Sequence, residues 1–199
     1  MKLIIVRHGQ TEDNSKDIIM GQLHGKLSPL GLEQAKKIGE RLKNEDIDLV
    51  FCSDLFRAKE TLEPILKFHK NIPVIYAKEL RERSVGVFEG GPSAKYHEFL
   101  ETDKDNFSQL RPEKGESLQD QQERAIRFVR KIAEEHKDKT ILLCTHGGWI
   151  RVFTAAVLGA KLEKAWPALK IRNASVSEFE VDEEKGFRIH LLNCTKHLE

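Results

Sequence analysis

Short apolar runs alternate with helical patterns along most of the chain. Each run has the length of a strand and carries few charges, which is typical of strands buried on both faces of a sheet. The first run is followed directly by Arg7, and the last by Thr145. The pattern therefore predicts strands at Leu3–Val6, Asp48–Cys52, Pro73–Tyr76 and Thr140–Cys144.

Helical spacing follows the first two of these runs. Ser28 is the predicted N-cap of a helix with Pro29 in its first turn. The side chains predicted to form its buried stripe are Leu32, Ala35, Ile38, Gly39 and Leu42. Ser53 and Asp54 are predicted to cap the next helix, which carries Arg57.

The second half of the chain continues the alternation. Helical patterns cover 117–136 and 149–158, and two closing strands are predicted at 175–181 and 187–192, joined by a polar turn from Asp182 to Gly186. The segment from 93 to about 115 has no strong periodicity and is predicted to form a small helical cap. We therefore predict an α/β fold, a three-layer sandwich whose mostly parallel central sheet is flanked by helices. One domain is expected over residues 1–199, with the cap inserted around 93–115.

Composition narrows the possible partners. The 199 residues contain 33 Lys and Arg against 32 Asp and Glu, a net charge of +1, so the molecule has no overall field suited to nucleic acid or an anionic membrane. No signal peptide is recognised, and no apolar run approaches the roughly 20 residues of a membrane span. The widely spaced cysteines Cys52, Cys144 and Cys194 are typical of reduced thiols. We expect a cytoplasmic protein; the sequence leaves its oligomeric state open.

Candidate chemistry is concentrated where two strands end. Arg7, His8 and Gly9 follow the first strand, and His146 and Gly147 follow the strand that ends near Cys144. Ligands of open α/β sheets collect at the carboxyl ends of strands, so both imidazoles are expected beside the cation of Arg7. This combination predicts a site that holds phosphate.

Six motifs in order resemble the histidine phosphatase superfamily, the phosphoglycerate mutase-like proteins. They occur over nearly the whole chain, at residues 3–14, 27–35, 53–61, 80–90, 115–117 and 145–148, and the ending 193–198 is also similar. The first motif reads LIIVRHGQTEDN and the last THGG. The full set is far more specific than the Arg-His-Gly triplet alone.

The resemblance implies the catalytic roles. His8 would be the nucleophile that forms a phosphohistidine, its other ring nitrogen donating to a backbone carbonyl such as that of Gly9. Arg7 and Arg57 would bind the phosphoryl oxygens, and His146 would donate a further hydrogen bond as an imidazolium. Glu82 would act alternately as general acid and base. Glu89 is the nearest alternative for this role, and a structural role is expected for it.

Further residues are carried over from the same resemblance. Asn14, Gln22 and Gly147 would line the phosphate pocket, and Thr11 and Ser53 are weaker candidates. One departure is Gln10, which stands where the family commonly has Glu. It removes a negative charge near the anion site and could alter substrate preference.

The expected reaction is hydrolysis of a small phosphomonoester without metal or other cofactor, because cationic and donor side chains replace a metal clamp. The alternative is a cofactor-dependent phosphoglycerate mutase. The segment between Glu82 and His146 is shorter than in such mutases, and a short lid admits water. A non-catalytic phospho-ligand binder would be expected to lack His8 or Glu82. Selectivity is expected in the cap, whose candidate residues are His97, Phe99, Phe107, Arg111 and Lys114.

Overall fold

The computed structural model describes residues 1–182 and 186–199, so part of the predicted turn from Asp182 to Gly186 lies outside the described residues. The described chain contains a six-stranded sheet of order β3-β2-β4-β1-β5-β6. Its strands are β1 (Lys2–Arg7), β2 (Leu49–Cys52), β3 (Val74–Tyr76), β4 (Thr140–Thr145), β5 (Val176–Asp182) and β6 (Gly186–Cys194).

The sheet is mixed, with a parallel half and an antiparallel edge. Strands β3, β2, β4 and β1 run parallel to one another, while β5 pairs antiparallel with β1 and β6 pairs antiparallel with β5. In register, Arg7 pairs with Thr145, and Cys52 pairs with Cys144. The carboxyl ends of β1, β2 and β4 therefore meet at one edge, as expected for a ligand site in an open α/β sheet.

Helices cover both faces of the sheet and give the predicted three layers. The helices are α1 (Glu12–Ser15), α2 (Pro29–Leu42), α3 (Phe56–Leu66), α4 (Ser93–Leu100), α5 (Leu118–Glu135), α6 (Gly147–Val157) and α7 (Leu162–Ala168). Helices α2 and α3 pack on one face, where Ile38 and Leu62 meet Ile4 of β1. Helices α5, α6 and α7 pack on the other face, where Phe153 stacks on Trp149 and meets Phe179 of β5.

Two details of the predicted helices are wrong. Leu32 is 46% exposed, and Gly31 takes its place on the buried side of α2, because the helix packs so closely there that a Cβ on Gly31 would overlap the carbonyl oxygen of Gln10. The N-cap of α3 is Leu55, which forms no side-chain cap. Ser53 instead accepts from the Leu55 amide at 3.3 Å, and Ser28 caps α2 as predicted.

The cap segment, residues 93–115, consists of α4, a 3-10 helix over Glu101–Asp103 and irregular turns. Its own apolar cluster is built around Tyr96 and Leu100, with Phe99 and Phe107 packed at its margin. The inner side of α4 thereby reaches the edge of the sheet where β1 and β4 end.

Candidate active site

A cavity of about 250 Å³ opens at the carboxyl ends of β1 and β4, beneath the cap segment. Its chemistry-bearing wall combines arginine cations with two imidazoles and one carboxylate. The residues that line the cavity are Arg7, His8, Asn14, Ile18, Ile19, Met20, Gly21, Arg57, Glu82, Arg83, Val85, Ser93, Tyr96, His97, Gly148, Arg151 and Trp166.

His8 stands at the end of β1 with its ring fixed from both sides. Nδ1 lies 2.7 Å from the Gly9 carbonyl oxygen, which can only accept, so the proton is assigned to Nδ1. Nε2 is then unprotonated, and it accepts from Nε of Arg57 at 3.3 Å. Burial, followed by the charges of Arg57 and Arg7, holds the pKa of His8 well below its usual value. The ring is therefore neutral at physiological pH and presents a lone pair on Nε2.

Arg57 enters from the first turn of α3 and is almost fully buried. Its two terminal nitrogens donate to the carbonyl oxygens of Leu23 and Gly21, at 2.7 and 2.8 Å. Nε is shared between His8 and Nδ1 of His146, which lies 3.2 Å away. Burial lowers the pKa of Arg57 to about 10, so the group remains cationic at neutral pH. Backbone carbonyls thus hold this guanidinium in place, and no carboxylate in 1–182 or 186–199 forms an ion pair with it.

Arg7 is the last residue of β1 and also lines the cavity. Its Nη1 donates to the carbonyl oxygen of Ile171, while its buried Nε has no hydrogen-bond partner among the described residues. A Cβ on Gly147 would lie 3.0 Å from that Nε, so glycine at the start of α6 makes room for the guanidinium. An unpaired buried donor beside the cavity fits a site for an anion.

His146 is completely buried behind His8 and Arg57 and does not line the cavity. Its Nε2 lies 2.8 Å from the Ser53 hydroxyl, and its ring centroid lies 5.1 Å from that of His8. Burial, Arg57 and His8 hold the pKa of His146 well below its usual value. The expectation of an imidazolium is therefore wrong for this arrangement, because two buried cations are already close and a third charge would be unscreened.

Glu82 follows the 3-10 helix Lys78–Leu80 and reaches the cavity from the side opposite β1. Three donors hold its carboxylate: the side-chain amide of Gln121 at 2.9 Å, the Gly148 amide at 2.9 Å and the Arg83 amide at 3.0 Å. Burial alone would raise its pKa, but these hydrogen bonds and the charge of Arg57 outweigh it and leave the pKa below the usual value. A side chain on Gly148 would overlap the carboxylate, so glycine permits this contact.

The residues carried over as pocket-lining candidates separate into two groups. Asn14 lines the cavity, where it also accepts from Asn173 at 3.3 Å. Gln22, Ser53 and Thr11 lie behind the wall. Gln22 donates to the backbone oxygen of Glu82 at 3.1 Å and accepts from Arg81 at 3.2 Å, so it positions the loop that carries the carboxylate.

Two further expectations concern groups near the site. Glu89 accepts from the Gln22 amide, the Ser84 hydroxyl and the Val85 amide, which confirms its structural role. Gln10 accepts from the Ser28 hydroxyl at 2.9 Å at the start of α2 and does not line the cavity. The departure at position 10 therefore acts on the packing of α2 against β1.

Sequence reasoning missed several residues of the site. Gln121 is on the inner face of α5, 39 positions from Glu82 along the chain, and its periodicity indicates burial but no partner. Arg83, Arg151 and Trp166 also line the cavity. Of the cap candidates, His97 alone is in the cavity wall; Arg111 instead pairs with Asp120 at 2.8 Å.

In the ranges 1–182 and 186–199, no group of three or more His, Cys, Asp or Glu side chains is arranged to hold a metal ion. Across the same residues, no helix is long and apolar enough to cross a membrane.

Comparisons with known proteins define the family. The family profile of the histidine phosphatase superfamily (branch 1) matches residues 3–195. A broad-specificity phosphatase of Saccharomyces cerevisiae is 34% identical over 100% of this chain and 87% of its own length. A metal-independent phosphoserine phosphatase of Arabidopsis thaliana is 33% identical over 92% of this chain and 78% of its own. The solved structure of Bacillus stearothermophilus YhfR superposes with a TM-score of 0.89 and 28% identity, covering 100% and 99% of the two chains.

The chain therefore belongs to the histidine phosphatase superfamily. It is an enzyme of phosphomonoester hydrolysis, and the mutase alternative is less supported because these relatives are phosphatases.

Proposed function

We propose that this enzyme hydrolyses small phosphomonoesters in two steps, with a phosphohistidine formed on Nε2 of His8. The observation that carries the proposal is the tautomer of His8. Its proton is held on Nδ1 by the Gly9 carbonyl, and the unprotonated Nε2, which accepts a hydrogen bond from Nε of Arg57, lies at the cavity. A neutral imidazole fixed in this way is a good nucleophile toward phosphorus.

In the first step, the Nε2 lone pair forms the N–P bond while the P–O bond to the alcohol breaks. Arg7 and Arg57 line the cavity together with His8 and stabilise charge on the equatorial phosphoryl oxygens. The departing oxygen takes a proton from Glu82. Because Glu82 is ionised in the free site, we infer that the substrate arrives as a monoanion and transfers its own proton to this carboxylate.

In the second step, Glu82 removes a proton from water, and the water oxygen attacks phosphorus as the N–P bond breaks. His8 returns to its neutral form, and Glu82 passes the proton that it took from water to the phosphate, which leaves as the monoanion. The carboxylate is then ionised again, with Arg7 and Arg57 still cationic. His146 takes part indirectly, because its Nδ1 and the His8 ring share the Nε proton of Arg57 and so fix that guanidinium. We assign His146 a positioning role.

Gln22 and Gly147 are assigned positioning roles for related reasons. Gln22 holds the Glu82 backbone, and Gly147 leaves room for Arg7. Asn14 is assigned to the cavity wall as a candidate contact for substrate. We further infer a cytoplasmic location, supported by three unpaired thiols, and one domain over 1–199 with its cap around 93–115.

Phosphoenzyme trapping tests the proposal. With an aryl phosphate in the presence of EDTA, wild type should release inorganic phosphate and carry acid-labile, base-stable phosphate when quenched. His8→Ala should lose at least ~10⁴-fold in turnover and carry no such phosphate. His190→Ala, an exposed histidine on β6, is the matched control and should behave as wild type.

Near-normal turnover by His8→Ala, or phosphate trapped at another residue, would contradict the covalent mechanism. Loss of wild-type activity in EDTA that Mg²⁺ or Zn²⁺ restores would contradict the expectation that no metal is needed.

A further inference from the structure

The cavity contains a second pair of arginines, distinct from Arg7 and Arg57. Arg83 follows Glu82, and Arg151 projects from α6; both line the cavity. Both guanidinium groups also approach the ring of Trp166 on α7, at 5.8 Å for Arg83 and 3.7 Å for Arg151. Residues from three separate parts of the chain thus build one cationic wall, which we call the Trp166 wall.

Arg83 is nearly buried, with 4% of its surface exposed. Its guanidinium lies 4.9 Å from the ring centroid of Tyr96, and its Nη1 donates to the Glu116 carbonyl oxygen over a long 3.4 Å. Among the described residues, no carboxylate forms an ion pair with Arg83. A ring face and one weak hydrogen bond use little of the five-donor capacity of a guanidinium.

Arg151 is in a similar position. Its Nη2 donates to the carbonyl oxygen of Trp166, and its buried Nε has no hydrogen-bond partner in the part of the chain that the structure describes. Burial lowers the pKa of Arg151 to about 10, so the group stays cationic at neutral pH. Within residues 1–182 and 186–199, Arg151 also has no carboxylate in ion-pair contact. Buried charges are normally paired, because desolvation is costly.

The positive charges around the cavity exceed what one transferred phosphoryl group can neutralise. Arg7 and Arg57 provide two positive charges for the transferred phosphoryl group, and Glu82 provides the one carboxylate of the wall. A phosphomonoester with a neutral remainder would leave Arg83 and Arg151 without any anion. The cavity of about 250 Å³ also favours a compact substrate over a large one.

We propose that the Trp166 wall binds a second anionic group of the substrate. The preferred substrate class is then a small phosphomonoester that also carries a carboxylate or a second phosphate. The transferred phosphate lies at His8, and the second acidic group is held by Arg83 and Arg151, which act as specificity-determining residues. This inference rests on the proposed function, since it assumes that the phosphoryl group is at His8.

Matched substrates test the wall in the wild-type enzyme. 3-Phosphoglycerate has a carboxylate where glycerol 3-phosphate has a hydroxymethyl group, and glycerol 1,3-bisphosphate has that hydroxymethyl group phosphorylated. We expect kcat/KM to be about 10- to 100-fold higher for at least one diacidic member than for glycerol 3-phosphate. The member with the higher value identifies carboxylate or phosphate as the second group.

Variants show whether the two arginines cause that preference. Arg83→Gln and Arg151→Gln should each reduce the ratio of kcat/KM, diacidic over monoacidic, by about 10-fold, chiefly through KM. Arg83→Lys and Arg151→Lys keep the charge and should retain part of the ratio. Arg130→Gln removes one arginine from the exposed face of α5 and should leave the ratio unchanged.

A wild-type enzyme with equal kcat/KM for all three substrates would overturn the proposal, while release of phosphate from them would leave the hydrolase assignment intact. Equal losses on all substrates in the Gln variants would also overturn it, because the arginines would then only support the fold. If a Gln variant fails to fold, the wild-type ratio and the Lys variants still decide. Failure of all hydrolysis would count against the proposed function itself.

Discussion

Two regions face each other across the cavity, and they are built in different ways. The strand-end rim, defined by Arg7, His8, Arg57, Glu82 and His146, is held by buried hydrogen bonds at nearly every polar atom. The cap segment contributes Ser93, Tyr96 and His97 to the cavity, while most of its charged side chains are exposed. The rim is therefore preorganised for one chemical group, and the cap encloses it with few polar contacts.

The difference indicates that the rim binds the phosphoryl group, while the cap encloses the rest of the substrate. Preorganised donors stabilise charge at no reorganisation cost during reaction, which suits a phosphoryl group common to many substrates. A wall with few polar contacts can change without disturbing that chemistry. Mutations in the rim should therefore have large effects on every substrate, and mutations on the outside of the cap should have small ones.

The largest of these effects after loss of His8 is expected for Glu82. Glu82→Gln should reduce kcat by about 10²- to 10⁴-fold for an alkyl phosphate, because the alkoxide needs a proton as it leaves. An aryl phosphate should lose less in the phosphorylation step, since phenolates leave without protonation. Single-turnover kinetics of both esters measure this difference.

Glu79→Gln is the matched control, since Glu79 is exposed on the adjacent 3-10 helix. Equal losses on both esters in the Glu82 variant would mean that Glu82 organises the pocket without donating the proton.

A pH profile gives the next largest effect. If the substrate brings the proton to Glu82, kcat/KM should fall about tenfold per unit above the second phosphate pKa, near ~6. This limb should move with the pKa of the substrate when phosphates of different acidity are compared. On the acid side, the lowered pKa of His8 keeps its ring neutral, so the enzyme should stay active at pH values well below 6.5. A basic limb at the same pH for every substrate would assign it to an enzyme group instead.

Gln121 tests whether donors behind the rim matter. Gln121→Leu removes the 2.9 Å hydrogen bond to Glu82, whose pKa should then rise because burial is less well offset. We expect kcat/KM to fall by about 10-fold and its pH profile to move to higher pH. Gln119→Leu, an exposed site on the same helix, is the control. A loss of activity without any displacement of the profile would indicate general damage to packing.

The smallest effect is expected on the outside of the cap. Arg111 pairs with Asp120 away from the cavity, so Arg111→Gln should leave kcat/KM within about twofold for all substrates. Steady-state assays on mono- and diacidic phosphates measure this. A substrate-selective loss would place Arg111 in contact with substrate and show that the cap closes further during turnover.

Sequence pattern alone predicted the central strands and most of the helices, because buried strands and capped amphipathic helices depend on local composition. It also placed His8 and His146 at strand ends that meet in the sheet. It was wrong about the N-cap of α3, which is Leu55, and about the burial of Leu32, whose place is taken by Gly31 where α2 packs closely against the backbone of Gln10. Neither error follows from local propensity.

By itself, the sequence determined the fold class, the family resemblance and the residue types available at the strand ends. Only the tertiary structure decided the ionisation of His146, the use of Gln121 as a donor to Glu82 and the pairing of Arg83 and Arg151 around Trp166. The reason is physical. Strands and helices depend on residues that are close together in the sequence. The pKa values and the unpaired charges depend instead on burial and on groups brought together from distant parts of the chain.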